Sequence, residues 1–548
     1  MRWRHVVIAV AAGLALADAS VVTLALPELL HELHTTVEGV AAVLGVYTVV
    51  LALALIPAER VQRGVGAPRM AAGGLVVFGT ASVLAGVSGS LGLLLAARGV
   101  QAVGGAAALV AAFALLEPDG AAGDRGRRLW LGAAVLAAAV GPALGGLLTE
   151  LFSWRAIFYV QAPVAAVAAV AALAEPTRDV RPKPHTSGGV RFGPAVALAL
   201  VSAALTAVLF LLVLLLVAGW DVTPLAAAAT VTVIPAGALI GSRIGGQAHA
   251  RAAAGCALVG AGVLALAFLP DAHVAWTFVP QAAAGLGMGL ALPALGGDLL
   301  PERDPQDAAR LLVLRHAGIA LALILLAPIV SHELTNSTER AKERGVAVVL
   351  DAKLNPTDKL RLAPSLLAGV DEQQPRHGLR AALRKGRGTV GDSEHAAYDD
   401  LATRVDDTLV LAVGEAFRTA FLVTGALALL AAAAVISKAT RTTALAGVAA
   451  TTVALPLAYA ALHHKYAPAA VELRDPCEQR PLPQTGGLEG FIQDRALELL
   501  DTTACKAGSS REELVLGLAD EQERRRFEKK HGTDPRSLSA ILQGLLGG

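Results

Sequence analysis

Two ionisable side chains lie deep inside long apolar runs of the chain: Asp18 in "VVIAVAAGLALADASVVTLALP" and Arg98 in "LGLLLAARGVQAVGGAAAL". A charge in hydrocarbon is costly, so such a residue marks a functional site by default. Asp18 falls about eight residues, and Arg98 about seven, from the outer end of its run, roughly 12 and 10 Å deep at 1.5 Å per residue. A carboxyl group at that depth can take up and release a coupling proton, and a guanidinium close by favours its ionised form. The plainer reading is a static ion pair joining two helices. Tyr47 and Gln281, polar within other apolar runs, are candidates to line a cavity.

The elements that position these groups must themselves be apolar. Of 548 residues, 55% are hydrophobic and 17% charged, with a mean hydropathy of +0.58. A water-soluble chain so composed would lack the polar surface to cover itself. Runs near the ~20 residues that cross a ~30 Å hydrocarbon layer recur along most of it. Thirteen are expected, near 6–26, 40–57, 70–89, 91–116, 129–149, 154–174, 194–219, 224–246, 251–270, 273–299, 309–331, 409–437 and 442–462. The first run ends in an Ala-x-Ala-like sequence but continues through "SVVTLALP", so it is expected to stay as an uncleaved helix. The net charge of +1, without a basic stretch interleaved by aromatics, points to no nucleic-acid partner.

Basic residues orient the chain. With the N-terminus inside, short inner loops hold Arg60, Arg63 and Arg69, then Arg125, Arg127 and Arg128, then Arg178, Arg181, Lys183 and Arg191. The short outer loops hold Arg155. This asymmetry predicts a cytoplasmic N-terminus in a plasma-membrane protein. Two polar pieces, an insertion at 332–408 and a tail at 463–548, then fall outside. Helical cues in them are Ser393 before "EHAAYDDLATRVDD" and the capping box Ser510…Glu513. Cys477 and Cys505 are both in the tail, where an oxidising compartment favours a disulfide over free thiols. Their spacing suits no zinc site, and the sequence suggests no metal, cofactor or catalytic constellation.

The run 129–149 contains "AVGPALGGLL". Its small residues keep step with the helix turn, Ala133, Ala137, Gly141 and Gly145 on one ridge, Ala134, Ala138, Pro142 and Gly146 beside it. In lipid such a surface marks close helix packing, and Pro142 permits a bend. "GPALGG" followed by "LFSWRAIFYVQAPVA" resembles the antiporter motif of the major facilitator superfamily and the Trp-Arg-Phe-Pro signature after it. The likeness is to its drug:proton antiporter branch, which usually has fourteen helices. "LADASVVTLALPEL", with Asp18 and Pro27, resembles that branch's first-helix signature, and Arg98, Gln101 and Gly104 match its Arg-x-x-Gln-Gly motif. The loop "PAERVQRGVGAPRM" keeps Arg63, Gly66 and Arg69 of the inner latch motif but lacks its Asp, with Gln62 the nearest residue. The span count and the two polar pieces also depart from the pattern.

The resemblance implies two six-helix bundles, 1–174 and 194–437, joined by the cytoplasmic linker 175–193, with a thirteenth span at 438–462. It implies that the first and fourth helices line a central cavity, where Asp18 and Arg98 would couple protons to movement. The implied function is proton-driven efflux of a small organic, lipophilic compound by alternating access. The alternative is a transport-defective or lipid-handling protein whose pieces 332–408 and 463–548 meet an envelope partner.

Overall fold

The computed structural model describes residues 3–116, 129, 141–176, 191–300, 305–369, 375–436, 443–478, 482–483 and 487–537. Among these, every regular element is helical, and eleven helices are long and apolar enough to cross a membrane. The chain is thus an all-α, multi-pass membrane protein. The eleven coincide with eleven of the expected runs. The thirteenth run coincides with a helix at Thr443–Tyr466. Of the fifth run, 141–149 is helical, and all but Leu129 of the remainder lies outside the described residues.

Two helix breaks are set by prolines, whereas Pro57, Pro163, Pro328 and Pro456 lie inside continuous helices. Helix α1 (Trp3–Thr23) stops and α2 (Leu26–Glu32) begins with Pro27 in its first turn. A proline ring clashes with the carbonyl four residues back, which here belongs to Thr23, the last residue of α1. After α3 (Val37–Val65), α4 (Ala67–Gly86), α5 (Leu91–Leu116), α6 (141–151), α7 (Trp154–Leu173) and α8 (Phe192–Val213), the same rule divides the eighth expected span. Its halves are α9 (Pro224–Val231) and α10 (Val233–Gly241), and Pro235 stands four residues beyond Val231. Between α8 and α9 the chain passes through a π-helical turn, Leu214–Gly219. Pro293, at the end of α12 (Phe278–Pro293), is followed by another, Ala294–Leu299.

Glycines bring the helix backbones together. A Cβ on Gly104 of α5 would stand 2.5 Å from the Phe78 amide nitrogen and 2.7 Å from the Gly74 carbonyl oxygen of α4. A second crossing of this kind joins α11 (Ala248–Leu266) to α12, where Gly255 and Gly287 each face the other's carbonyl. Gly141 and Gly145 of α6 lie against Ser20 and Val21 of α1, and Gly146 lies against Pro224 and Ala228 of α9. The inner loop after α3 turns at Gly66, whose φ of 88° is the left-handed region that glycine adopts without strain. Its N–H bonds the Gln62 carbonyl at 2.8 Å, capping α3.

The contacts divide the chain into two compact units. One holds Met1–Val217, Val222–His332 and Phe417–Lys465. The other gathers Ala218–Asp221, Glu333–Ala416 and Tyr466–Gly548, so the insertion and the tail fold together. Helices α13 (Pro305–Asp351) and α16 (His395–Val435) run unbroken through positions 332 and 408, where the composition turns polar. The side chains there change from apolar to charged while still favouring helix. In the second unit, α14 (Pro356–Gly369) and α15 (Pro375–Arg387) follow α13, and Arg376 holds Asp406 of α16 by two bonds at 2.9 and 2.8 Å. Ser393 lies in a 3-10 turn, Asp392–Glu394, ahead of α16.

After α17 (Thr443–Tyr466) come α18 (Gly487–Ala507), α19 (Arg511–Ala519) and α20 (Glu521–His531). Ser510 caps α19 by accepting from the Glu513 N–H at 3.0 Å. Buried Arg511 bridges tail to insertion, its Nη2 2.8 Å from Asp351. A disulfide ties Cys477 to Cys505 on α18, with their Cα atoms 5.0 Å apart.

The glycine crossing yields a paired prediction. A Cβ on Gly74 would lie 2.7 Å from the Ala108 amide nitrogen, whereas one on Gly73 meets nothing within 4 Å. Gly74→Ala is therefore expected to destabilise the protein by about 1–3 kcal/mol through overpacking. Gly73→Ala gains up to about 1 kcal/mol of helix propensity. Thermal unfolding of the two variants in detergent, side by side, checks the contrast.

Candidate functional site

Asp18 and Arg98 meet. Arg98 Nη1 lies 2.6 Å from Asp18 Oδ2, and both side chains are fully buried, at 0% exposure. Each is placed by packing. The Asp18 helix α1 is fixed by glycines of α6 at Ser20 and Val21, and the Arg98 helix α5 by the Gly74–Gly104 crossing with α4. Tyr47 of α3 lies beneath the guanidinium, its ring centre 4.3 Å from Arg98 Cζ, and its hydroxyl donates to the Ala15 carbonyl at 2.9 Å. Phe158 of α7 stands on another side at 5.7 Å. Arg98 Nε donates to the Val43 carbonyl at 3.2 Å.

Neutral side chains complete the site. Arg98 Nη1 donates to Gln101 Oε1 at 2.6 Å. Gln101 Nε2 donates to Ser82 Oγ at 2.8 Å and to Gln161 Oε1 at 2.6 Å. Gln161 Nε2 donates to Asp18 Oδ1 at 3.0 Å. Ser82 Oγ in turn donates to the Phe78 carbonyl at 2.7 Å. Five helices, α1, α3, α4, α5 and α7, thus share one buried polar network. Sequence reading selected Asp18, Arg98, Gln101 and Tyr47 from it but passed over Ser82 and Gln161. Gln161 was visible only as a lone polar residue in the run "FYVQAPVA".

The remaining candidates fall elsewhere. Gln281 is fully buried in α12; its Nε2 donates to Thr277 Oγ1 at 2.8 Å and, among the described residues, its Oε1 has no hydrogen-bond partner. Arg63, in the last turn of α3, is held by Glu59 through two bonds at 2.8 and 2.6 Å. An acid thus accompanies the loop arginine after all, one turn upstream of where the motif places it, and Gln62 lies within α3, its backbone carbonyl accepting from the Gly66 cap. Arg69 is exposed at the start of α4. Gly141, Gly145 and Gly146 are packing positions of α6, with Pro142 on the same helix.

At the end of the helices that carries Arg155, a second cluster forms. Arg155 Nη1 donates to Glu32 Oε1 at 2.6 Å and its Nη2 to the Ser88 carbonyl at 3.3 Å, while Trp154 Nε1 donates to the other Glu32 oxygen. Burial pushes the Glu32 carboxyl up, but these two donors outweigh it and hold it below the usual range. Nearby, Glu150 Oε2 accepts from the Leu225 N–H at 2.8 Å, so α6 caps the first turn of α9.

A buried, charged network threading five helices of a multi-pass bundle defines a membrane protein built to hold charge away from water. The profile of the Major Facilitator Superfamily matches residues 8–331, and the chain belongs to that family, one of transporters and not of enzymes. It is similar to the puromycin resistance protein pur8 of Streptomyces alboniger, 39% identical over 173 residues, or 30% of this chain and 34% of that protein. The multidrug resistance protein Stp of Mycobacterium tuberculosis is 31% identical over 153 residues, 27% of this chain and 28% of Stp. The tetracenomycin C resistance and export protein of Streptomyces glaucescens is 30% identical over 170 residues, 30% and 32% of the two chains. The chain thus covers about a third of the length of the curated relatives it matches. A bacterial homologue of the human lysosomal transporter Spinster, in an inward-facing and unoccupied crystal structure, shares the fold: TM-score 0.53, 13% identity, 79% of this chain and 97% of that one.

The ion pair makes a separable prediction about stability. Arg98→Gln leaves the Asp18 carboxylate buried without its counter-charge and is expected to cost about 3–5 kcal/mol. Adding Asp18→Asn removes the stranded charge, so the double variant is expected to be more stable than Arg98→Gln alone. A double-mutant cycle on unfolding in detergent measures this coupling.

Proposed function

We propose that this protein exports small organic, lipophilic compounds in exchange for protons, by alternating access between two six-helix bundles, 1–174 and 194–437. The N-terminus is cytoplasmic in this reading, as the Lys and Arg distribution of the short loops favours. The observation that carries it is the Asp18–Arg98 pair, a 2.6 Å contact at full burial. A carboxylate so placed must either keep its counter-ion or take up a proton, because an unpaired charge there is strongly unfavourable. Protonation and separation of α1 from α5 are therefore linked. The names of the relatives, resistance and export proteins for puromycin and tetracenomycin C, support an outward direction and an organic cargo.

The glycine faces of α6 suit such a cycle. They touch α1 on one side and α9 on the other without interposed side chains, and α9 belongs to the second bundle of this reading. Surfaces of small residues slide with little repacking, and the broken helices at Pro27 and Pro235 have the local give that rocking needs.

Proton movement in inverted vesicles containing wild type or Asp18→Asn, challenged with a panel of lipophilic cations and neutral drugs, tests the proposal. Substrate-triggered proton release that disappears in correctly folded Asp18→Asn is the expected result. Release that persists unchanged in Asp18→Asn, or wild-type protein that responds to no compound, would sink it.

A further inference from the structure

We propose that Gln101 and Gln161 close a one-way ring of hydrogen bonds around the ion pair, and that Gln161 is a positioning residue forcing Asp18 to take its proton on the oxygen that faces Arg98. The inference rests on the proton-coupling reading and adds what makes coupling obligatory.

The direction of the ring is fixed by its two ends. A guanidinium only donates and an ionised carboxylate only accepts, while a carboxamide has one end of each kind. Facing Arg98 Nη1 at 2.6 Å, Gln101 must present its oxygen. Its Nε2 is then left to donate to Gln161 Oε1, also at 2.6 Å. Gln161 in turn has only its Nε2 left for Asp18 Oδ1, at 3.0 Å. The direct contact of Arg98 Nη1 with Asp18 Oδ2 at 2.6 Å closes the circuit. Neither amide can turn over without setting a donor against a donor.

Protonation breaks this arrangement unequally at the two oxygens. A proton on Oδ1 would point at the Gln161 N–H. Turning Gln161 to accept it would set the Gln161 and Gln101 N–H groups against each other, and turning Gln101 as well would set its N–H against the guanidinium. Oδ2 is different: among the described residues it accepts no hydrogen bond, although it is in ionic contact with Arg98. A proton added there leaves Gln161 in place, converts the carboxylate to a carboxylic acid, and takes the net charge of the pair from zero to +1. Among the described residues the guanidinium then has no counter-charge, and its Nη2 already lacks a hydrogen-bond partner there. Arg98 is driven off the site, and α1 and α5 part.

Among the described residues, the surroundings offer no other way out. Facing Asp18 are Tyr47 from α3, Arg98 from α5 and Gln161 from α7. Helix α8, also packed on α1, carries no ionisable residue, and α6 meets α1 through glycines beside Ser20 and Val21. With an apolar residue at 161, the ring is open. Either Asp18 oxygen then accepts the proton, and Asp18 can be protonated while Arg98 stays in place.

The test uses the full chain in lipid with 13C-labelled glutamine, read by pH-difference infrared spectroscopy, and a substrate-free proton-leak assay in vesicles. Wild type, Asp18→Asn, Gln161→Leu and the near-isosteric Gln161→Met are compared. In wild type a carboxyl band, absent from Asp18→Asn, is expected to titrate at the same midpoint as a shift in labelled glutamine carbonyl bands. Both Gln161 variants are expected to keep the carboxyl band, lose the glutamine shift and leak protons several-fold faster than wild type. A carboxyl band that titrates with no glutamine shift in wild type, or folded Gln161 variants that leak no faster, overturns the ring while leaving Asp18 as the proton carrier. A carboxyl band that survives Asp18→Asn overturns the proton-coupling reading, and the ring falls with it.

Discussion

The contact on which the rest depends is a single ion pair sealed from water. Desolvating a carboxylate and a guanidinium costs several kcal/mol per ion, and their attraction offsets this only where the remaining polar atoms are also satisfied. That requirement accounts for the company the pair keeps. Gln161 and Gln101 supply donor and acceptor ends in the one order that fits, Val43 lends a carbonyl, and the Tyr47 ring lies against the cation. These partners come from α7, α5 and α3, Val43 and Tyr47 sharing the last, so the pair also dictates which helices must be neighbours. The Gly74–Gly104 crossing brings α4 close enough for Ser82 to reach Gln101.

The same backbone device occurs away from the Asp18–Arg98 pair. Gly255 and Gly287 join α11 and α12 in a crossing of the same build, but the buried amide on α12, Gln281, has among the described residues only Thr277 as a partner for its nitrogen. Close packing by glycine is therefore a general property of these helices, independent of the polar network. What distinguishes the helices around Asp18 is the charge, and the cost of burying it is concentrated there. Helices α8 and α12 contribute no ionisable side chain, so contact with a lipophilic molecule would strand no charge on them.

How much of this was legible in the sequence depends on whether a residue is out of place in an apolar run. Asp18 and Arg98 are, because their transfer cost is large, and they were found from their depth alone. Gln161 carries no charge, and one amide in an apolar helix reads as an ordinary packing residue; its role depends on a partner 143 positions away. Proline breaks were implicit, since Pro27 and Pro235 each stand four residues after a helix end, but the expected spans 6–26 and 224–246 ran through both breaks. Glu59 escaped notice for another reason: the loop pattern looks for an acid directly beside Arg63, whereas an acid one turn before Arg63 reaches the same guanidinium. The joining of insertion and tail rests on contacts such as Arg511 with Asp351, 160 positions apart, which no local pattern records.

Helix α6 explains why a local event at Asp18 need not stay local. Ser20 and Val21, two and three residues beyond Asp18, meet Gly141 and Gly145, and one residue further along α6 Gly146 meets α9. No side chain of α6 at these glycines stands between its backbone and either neighbour, so there is no soft layer to absorb a shift of α1. Glu150 adds a directional bond at the end of the same helix, from its carboxylate to the Leu225 N–H in the first turn of α9, where the helix dipole favours negative charge. A shift of α1 on losing its counter-ion must therefore either slide along the glycine face or carry α6 with it. Both are movements of whole helices, and a buried pair that cannot be half-broken is suited to driving them.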